Sequence, residues 1–206
     1  MPIVSVIKDK KIPSAWSKED VEKIISVIDR ATPMGKRDYA ILIIISHLGL
    51  RISDVRNLKL NNLNWREKKI EIVMSKTNQL LTLPITEIVG DALIDYLKNG
   101  RPKTDVQYVF ITHRPPFEKF GNNNNFFFAI DKYMKKANIV IPKGKKHGVH
   151  SLRHSLASIL LEQNVSLPVI SDILGHLSSD STKYYLKVDT AKLRECALSM
   201  EVIDNA

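Results

Sequence analysis

IEIVMSKTNQLLTLP, residues 70–84, is the stretch on which the fold class turns. Ile70, Ile72 and Met74 alternate with Glu71 and Val73, and Leu81 and Leu83 flank Thr82, the period of two that marks half-buried strands. Between them Ser75-Lys76-Thr77-Asn78-Gln79 is wholly polar, so the spacing predicts two strands joined by a hairpin with a hydrophilic tip. Pro84, which has no N–H for a ladder, is expected to end the second strand.

On both sides of this hairpin the apolar spacing is helical. Upstream, Ser17 and Asp20 form a capping-box pattern, Trp16 and Val21 a hydrophobic staple, and Val21, Ile24, Ile25 and Ile28 a helical stripe. A second helix is expected over about residues 37–50, apolar nearly all round and therefore buried, with Gly49 near its end as a stop or close-packing point. Residues 52–58 follow as a short third helix. Downstream, Ile88, Val89, Ala92, Leu93, Tyr96 and Leu97 repeat at helical spacing until Gly100 and Pro102. Residues 106–112 read as a short extended piece, 122–125 as an Asn-rich turn, 126–137 as a helix and 142–146 as a basic loop. Further helices are expected over about 149–163, 168–174, 181–187 and 190–200. The order is helices, a small antiparallel sheet, then helices, which is a mostly α-helical α+β fold. No internal repeat or long linker interrupts it. The expected division is a tail or linker end over 1–10, a main domain over 11–188 and a C-terminal helix or tail over 189–206.

Bulk composition narrows the class of function. The 206 residues can bury a core without disulfide or metal staples, and the single cysteine, Cys196, rules out a bridge within the chain. The longest apolar run, residues 39–50, is broken by Ser46 and His47 and falls short of the roughly 20 residues that span a bilayer. The first sixteen residues lack the apolar core of a signal peptide. A cytoplasmic protein with no membrane partner fits these features. Lysine and arginine number 31 against 22 acidic residues, a formal charge of +9, which favours polyanionic partners such as nucleic acid.

The C-terminal third is densest in chemistry. His150 and Arg153 stand three apart on a predicted helix and share a face, while Leu152, Leu156 and Ile159 form another stripe able to face the core. Such a helix would bury one side and present His150 and Arg153 on another. Leu174-Gly175-His176 follows, then Thr182-Lys183-Tyr184-Tyr185; upstream lies Gly49-Leu50-Arg51-Ile52-Ser53-Asp54. Two other readings compete locally. His147, His150 and His154 imitate a metal-binding face, but they lack a His-Glu-x-x-His carboxylate and Gly148 places His147 before the helix, so no metal is expected. Residues 167–185 read as helix, turn, helix, which imitates a DNA-reading motif.

Taken together, these residues resemble the catalytic domain of the lambda-integrase-type tyrosine recombinases over roughly residues 11–188. That family carries an arginine after its second helix, a lysine in a β-hairpin, a His-x-x-Arg box, a Gly-His pair and a tyrosine nine residues beyond that histidine. Arg51, Lys76, His150 with Arg153, His176 and Tyr185 match in order, with Lys76 twenty-five positions after Arg51 and Tyr185 nine after His176. The resemblance implies an enzyme that cuts and rejoins double-stranded DNA through a 3′-phosphotyrosyl link, without metal, ATP or other cofactor.

The implied roles are physically coherent. Arg51 and Arg153 would clamp the non-bridging oxygens of the phosphodiester with forked hydrogen bonds. Tyrosine has an ordinary pKa near ~10, so His150 would accept its proton as general base while His176 hydrogen-bonds the phosphate. Lys76, on the hairpin tip, would protonate the leaving 5′-oxygen. Tyr184 and Tyr185 point about 100° apart on a helix, and the nine-residue spacing selects Tyr185 as nucleophile. Asp54 is expected to orient Arg51. A DNA-binding module without turnover and a type IB-like topoisomerase are the alternatives within this fold.

The chain departs from the family in one respect. Members usually carry a separate N-terminal helical domain that clamps the far face of the DNA, and here the signature begins within the first twenty residues, as in an excised domain or a short variant. Binding is then expected to lean on phosphate contacts, with Lys143, Lys145 and Lys146 as candidates, and to fall steeply with salt. The resemblance implies self-association on DNA, with the C-terminal helix docking on a neighbouring copy; packing of that helix within its own chain is the equal alternative.

Overall fold

The structure, a computed structural model, describes residues 15–141 and 147–175. Helix α1 (Lys18–Ser26) begins where the capping pattern places it: the Ser17 hydroxyl accepts the Asp20 N–H at 3.1 Å. Trp16 packs at the edge of the core, and its N–H donates to Ser155 Oγ at 2.6 Å. The N-terminal end is thereby tied to a helix 139 positions away.

Helix α2 (Pro33–Leu48) is the centre of the molecule. It is buried over most of its length, with Met34 near its start and His47 near its end exposed, and α1, α3 (Ile52–Asn57), α4 (Glu87–Asn99) and α6 (Val149–Glu162) pack around it. Ile41, Ile43 and Ile44 have no exposed surface. The helix starts four residues earlier than its apolar run suggests. Thr32 caps it by accepting the Gly35 N–H at 3.0 Å, and Pro33 takes the first turn, where its missing N–H costs nothing. Its last turn ends on Gly49 with φ 67°, a left-handed cap that glycine adopts without strain.

One polar cluster lies inside the core. Arg37 Nε and Nη2 donate to Asp38 Oδ1 at 2.9 and 2.7 Å, and the Tyr133 hydroxyl donates to Asp38 Oδ2 at 2.8 Å. Both carboxylate oxygens are satisfied, as burial requires, and the bond from Tyr133 fastens α5 (Phe127–Lys136) to α2. Burial and the adjoining carboxylate push the Tyr133 phenol well above its usual range.

The hairpin forms as its alternation predicts. Strands β2 (Lys69–Val73) and β3 (Leu80–Pro84) are antiparallel, with Ile70 opposite Leu83 and Val73 opposite Leu80. Ile70, Ile72 and Leu83 face the core. A third strand, β1 (Leu63–Asn64), pairs with Lys69 and Ile70 at the sheet edge; two residues are too few to show a period, so the sequence carries no mark of it. Pro84 is the last residue of β3, opposite Lys69. Residues 106–112 give isolated bridges, Tyr108 to Lys59 and Ile111 to Lys119, rather than a strand.

Helix α6 starts after Gly148, which leaves His147 outside it. Helix α7 (Leu167–Ile173) packs on α6 through a second small core of Ala157, Ile170 and Leu174, with Leu156 against it. Leu152 has no exposed surface, whereas Leu156 and Ile159 are half-buried. None of the described helices is long and apolar enough to cross a membrane.

Candidate active site

Arg51 is the residue that starts α3. Gly49 turns the chain out of α2, Arg51 takes an extended conformation, and its carbonyl accepts the Asp54 and Val55 N–H groups of the first turn. The side chain is half-buried, with Nη1 3.5 Å from Met74 Sδ and Nη2 donating to the Gly175 carbonyl at 3.4 Å. These are long contacts to a weak acceptor and to a neutral one, so this guanidinium is lightly held.

Arg153 is held differently. The sequence predicts that α6 presents Arg153 beside His150 on an outward face, but the structure turns Arg153 inward, 6% exposed. The physical reason is two carbonyls waiting at helix ends. Nη1 donates to the Gly49 carbonyl and Nη2 to the Leu174 carbonyl, both backbone acceptors in the region where helices leave such groups unpaired. The two arginines thus converge on one corner, Arg153 at Leu174 and Arg51 at the next residue, Gly175.

Gly175 makes that corner possible. Its φ is 57°, and a Cβ there would lie 2.3 Å from Met74 Sδ, so the backbone passes directly over the base of the hairpin. His176 is the next residue in the chain.

His150 occupies the first turn of α6 and is exposed. Its pKa lies below the ordinary imidazole value, through loss of hydration first and then through the positive charges of Arg153, Arg51 and Lys76. Four residues from three separate stretches of sequence therefore share one electrostatic neighbourhood. His154, a turn further along α6, is half-buried, and its pKa is pushed down to about 4 by burial and by the charges of His150 and Arg153.

Lys76 is exposed on the hairpin tip. Asp54, expected to orient Arg51, instead meets the hairpin: its Oδ1 accepts the Ser75 N–H at 2.8 Å. The carboxylate is 3% exposed, and the chain geometry that brings Arg51 to the start of α3 points Asp54 at the strand beside it. His176 and Tyr185, the basic-loop candidates Lys143, Lys145 and Lys146, and the C-terminal stretch 189–206 lie outside the described residues.

Sequence reasoning passed over Met74, Ser75 and Asn57. Met74 reads only as an inward strand residue; its contact with Arg51 spans 23 positions and leaves no local mark. The residues brought together are cationic, with Arg153 buried, Arg51 half-buried and Lys76 exposed. A cavity of about 570 Å³ lined by Pro33, Met34, His113 and Tyr133 lies at the other end of α2 and holds none of the predicted residues.

The class defined by this fold and site is a helical α+β domain that brings a half-buried and a buried guanidinium together with an exposed imidazole and a hairpin lysine, a donor set suited to a phosphodiester. Residues 15–192 match the model of the phage integrase family, and the chain belongs to that family. A protein of Sinorhizobium fredii, y4gC, named as an integrase/recombinase, is 35% identical over 190 residues, covering 92% of this chain and 96% of its own. The tyrosine recombinase XerC of Bacillus pumilus is 32% identical, with 96% of this chain and 65% of the relative covered. A second Sinorhizobium fredii relative, y4rA, is matched over 47% of its length, so the chain spans about half of some relatives and nearly all of another. Among solved structures, the XerA recombinase superposes with a TM-score of 0.73 at 26% identity, covering 93% of this chain and 66% of that one. The catalytic domain of bacteriophage HP1 integrase, 22% identical, shares the fold at a TM-score of 0.60 over 94% of this chain and 98% of its own. The fold is therefore that of the tyrosine recombinase catalytic domain.

Proposed function

We propose that this chain is a site-specific DNA recombinase or integrase that breaks and rejoins double-stranded DNA with Tyr185 as nucleophile. The observation that carries the reading is the convergence of Arg51 and Arg153 on consecutive carbonyls beside His150, with Lys76 close enough to lower the His150 pKa. In the proposed step the Tyr185 phenolic oxygen forms a bond to phosphorus and the bond from phosphorus to the 5′-oxygen breaks. His150 takes the phenolic proton, and its lowered pKa keeps it neutral and able to do so near pH 7. Lys76 gives a proton to the departing 5′-oxygen. Arg51 and Arg153 hold the non-bridging oxygens, and His176 adds a hydrogen bond. Attack by another strand's 5′-hydroxyl reverses the step and restores the phosphodiester.

Binding draws on the chain's +9 charge. Lys143, Lys145 and Lys146 supply phosphate contacts, and affinity falls steeply as salt rises. Copies of the chain associate on the DNA through the C-terminal stretch 189–206. The setting is the cytoplasm, where DNA and a reducing environment coincide. The solved XerH structures, one before and one after cleavage, are complexes with its difH substrate, which supports DNA as the partner of a related fold.

A duplex carrying a nick just beyond the scissile phosphate tests the reading, because loss of the short fragment traps the adduct. The expected result is a covalent protein–DNA species with the native chain and with Tyr184→Phe, and none with Tyr185→Phe. Binding without an adduct would favour a module lacking turnover, and relaxation of supercoils without strand exchange would favour a topoisomerase.

A further inference from the structure

The hairpin tip is attached to the rest of the molecule through Ser75. Its N–H donates to Asp54 Oδ1 at 2.8 Å, and its hydroxyl accepts from Asn57 Nδ2 at 3.1 Å. Both partners belong to α3, the helix that Arg51 opens. The bonds described from Met74 to Gln79 and from Asn78 to Met74 are internal to the hairpin. At its neck, Val73 is 61% and Leu80 71% exposed, so packing on that face does not fix the tip. Lys76 is the very next residue after Ser75.

Two buried side-chain atoms among the described residues have no hydrogen-bond partner, one in this contact and one on the tip beside it. One is Asp54 Oδ2, the second oxygen of the gripping carboxylate; the other is Thr77 Oγ1, two residues beyond Ser75. Buried polar atoms are nearly always paired. The grip therefore has unspent capacity, an acceptor on α3 and a hydroxyl on the tip, available if the tip moves.

We infer that Asp54 and Asn57 are positioning residues for Lys76, gripping Ser75 so that α3 fixes the span between Arg51 on the phosphate and the lysine that protonates the leaving oxygen. The inference rests on Lys76 being the general acid, as proposed above. It assigns Asp54 to the hairpin rather than to Arg51 and gives Asn57 a part in the reaction. Helix α3 acts as a spacer: the arginine is its N-cap, and the carboxylate and amide that hold the hairpin lie about one and two turns further on.

Sulfur in place of the bridging 5′-oxygen separates this role from a structural one, because a thiolate departs without a proton. Lys76→Ala is expected to cut the oxygen substrate poorly and the sulfur substrate at nearly the native rate. If sulfur fails to restore Lys76→Ala, Lys76 is not the general acid, and that reading falls by itself. Given restoration, Asp54→Ala is expected to cut the oxygen substrate about tenfold more slowly, the kinetic weight of one charge-assisted bond. Asn57→Ala, which removes a neutral bond at the surface, is expected to slow it about threefold. Both variants should cut the sulfur substrate close to normally, and Asp54→Ala combined with Lys76→Ala should be no slower on oxygen than Lys76→Ala alone. Equal losses on both substrates would assign the two residues to Arg51 or to the fold and overturn the inference, as would the absence of any loss. Asn57→Ala leaves the buried carboxylate in place and keeps the test decisive should Asp54→Ala fail to fold.

Discussion

Arg153 donates to the carbonyl of Gly49, 104 positions earlier in the chain. Gly49 is the left-handed cap of α2 and lies two residues before Arg51, so Arg153 holds the backbone that aims Arg51, the other arginine of the proposed phosphate clamp. The second bond of Arg153, to Leu174, fixes the residue before Gly175, to which Arg51 donates. Backbone and guanidinium groups thus form a closed circuit, and, on the proposed function, such preorganised donors are what electrostatic catalysis requires.

Arg153→Lys tests that circuit. Lysine keeps the charge but loses the planar fork, so it can serve one carbonyl and leaves the other unpaired in a buried setting. The expected cost is about 2 kcal/mol of folding stability, read as a shift in the urea midpoint with unchanged slope. Cleavage of the nicked duplex should fall by a larger factor than in a variant of an exposed lysine such as Lys135.

Gly49→Ala should be more damaging than an ordinary helix-end substitution. The φ of 67° is strained for any residue with a Cβ, and the added carbon would lie 2.6 Å from Leu174 Cδ2 and 3.0 Å from Leu156 Cδ2. The left-handed conformation alone costs about 1–2 kcal/mol, and relief of the clash would push α7 away from α6. Thermal unfolding reads the stability loss, and phosphate-dependent cleavage reads the displacement of Arg51.

The His150 imidazole should titrate below the free-histidine value in the DNA-free protein, because partial desolvation and three positive neighbours disfavour its charged form. Arg51→Ala removes one of those charges and should raise the His150 pKa, a shift visible by NMR of the ring protons. An unchanged value would mean that Arg51 and His150 do not share the neighbourhood.

Acid should unfold the protein through its half-buried histidines. His154 and His113 have pKa values pushed down to about 4, against ~6.5 in an unfolded chain. The unfolded state binds more protons between those values, so the stability from neutral burial is complete above about pH 6.5 and is lost as the pH falls towards about 4. His154→Gln is expected to flatten the fall of the melting temperature across that window. A slope identical to that of the native chain would remove His154 from the cause.

The fold class was legible because its signals are local. Alternation in residues 70–84, the cap at Ser17, the all-round apolar α2 and Gly49 at its end each act within a few residues. The structure repeats them with boundaries moved by a few positions, as at Pro33, where proline and a threonine cap extend the helix beyond its apolar stripe. The family order of Arg51, Lys76, His150, Arg153, His176 and Tyr185 was likewise readable as text.

Tertiary contacts decided what spacing cannot carry. That Arg153 faces inward, that Asp54 meets Ser75 rather than Arg51, and that Met74 lies under Gly175 depend on which helix ends and strand faces come together. Helical periodicity reports only which side of an element avoids water. A guanidinium or carboxylate goes where an unpaired backbone group is waiting, and that place is set by the packing of segments many tens of residues apart.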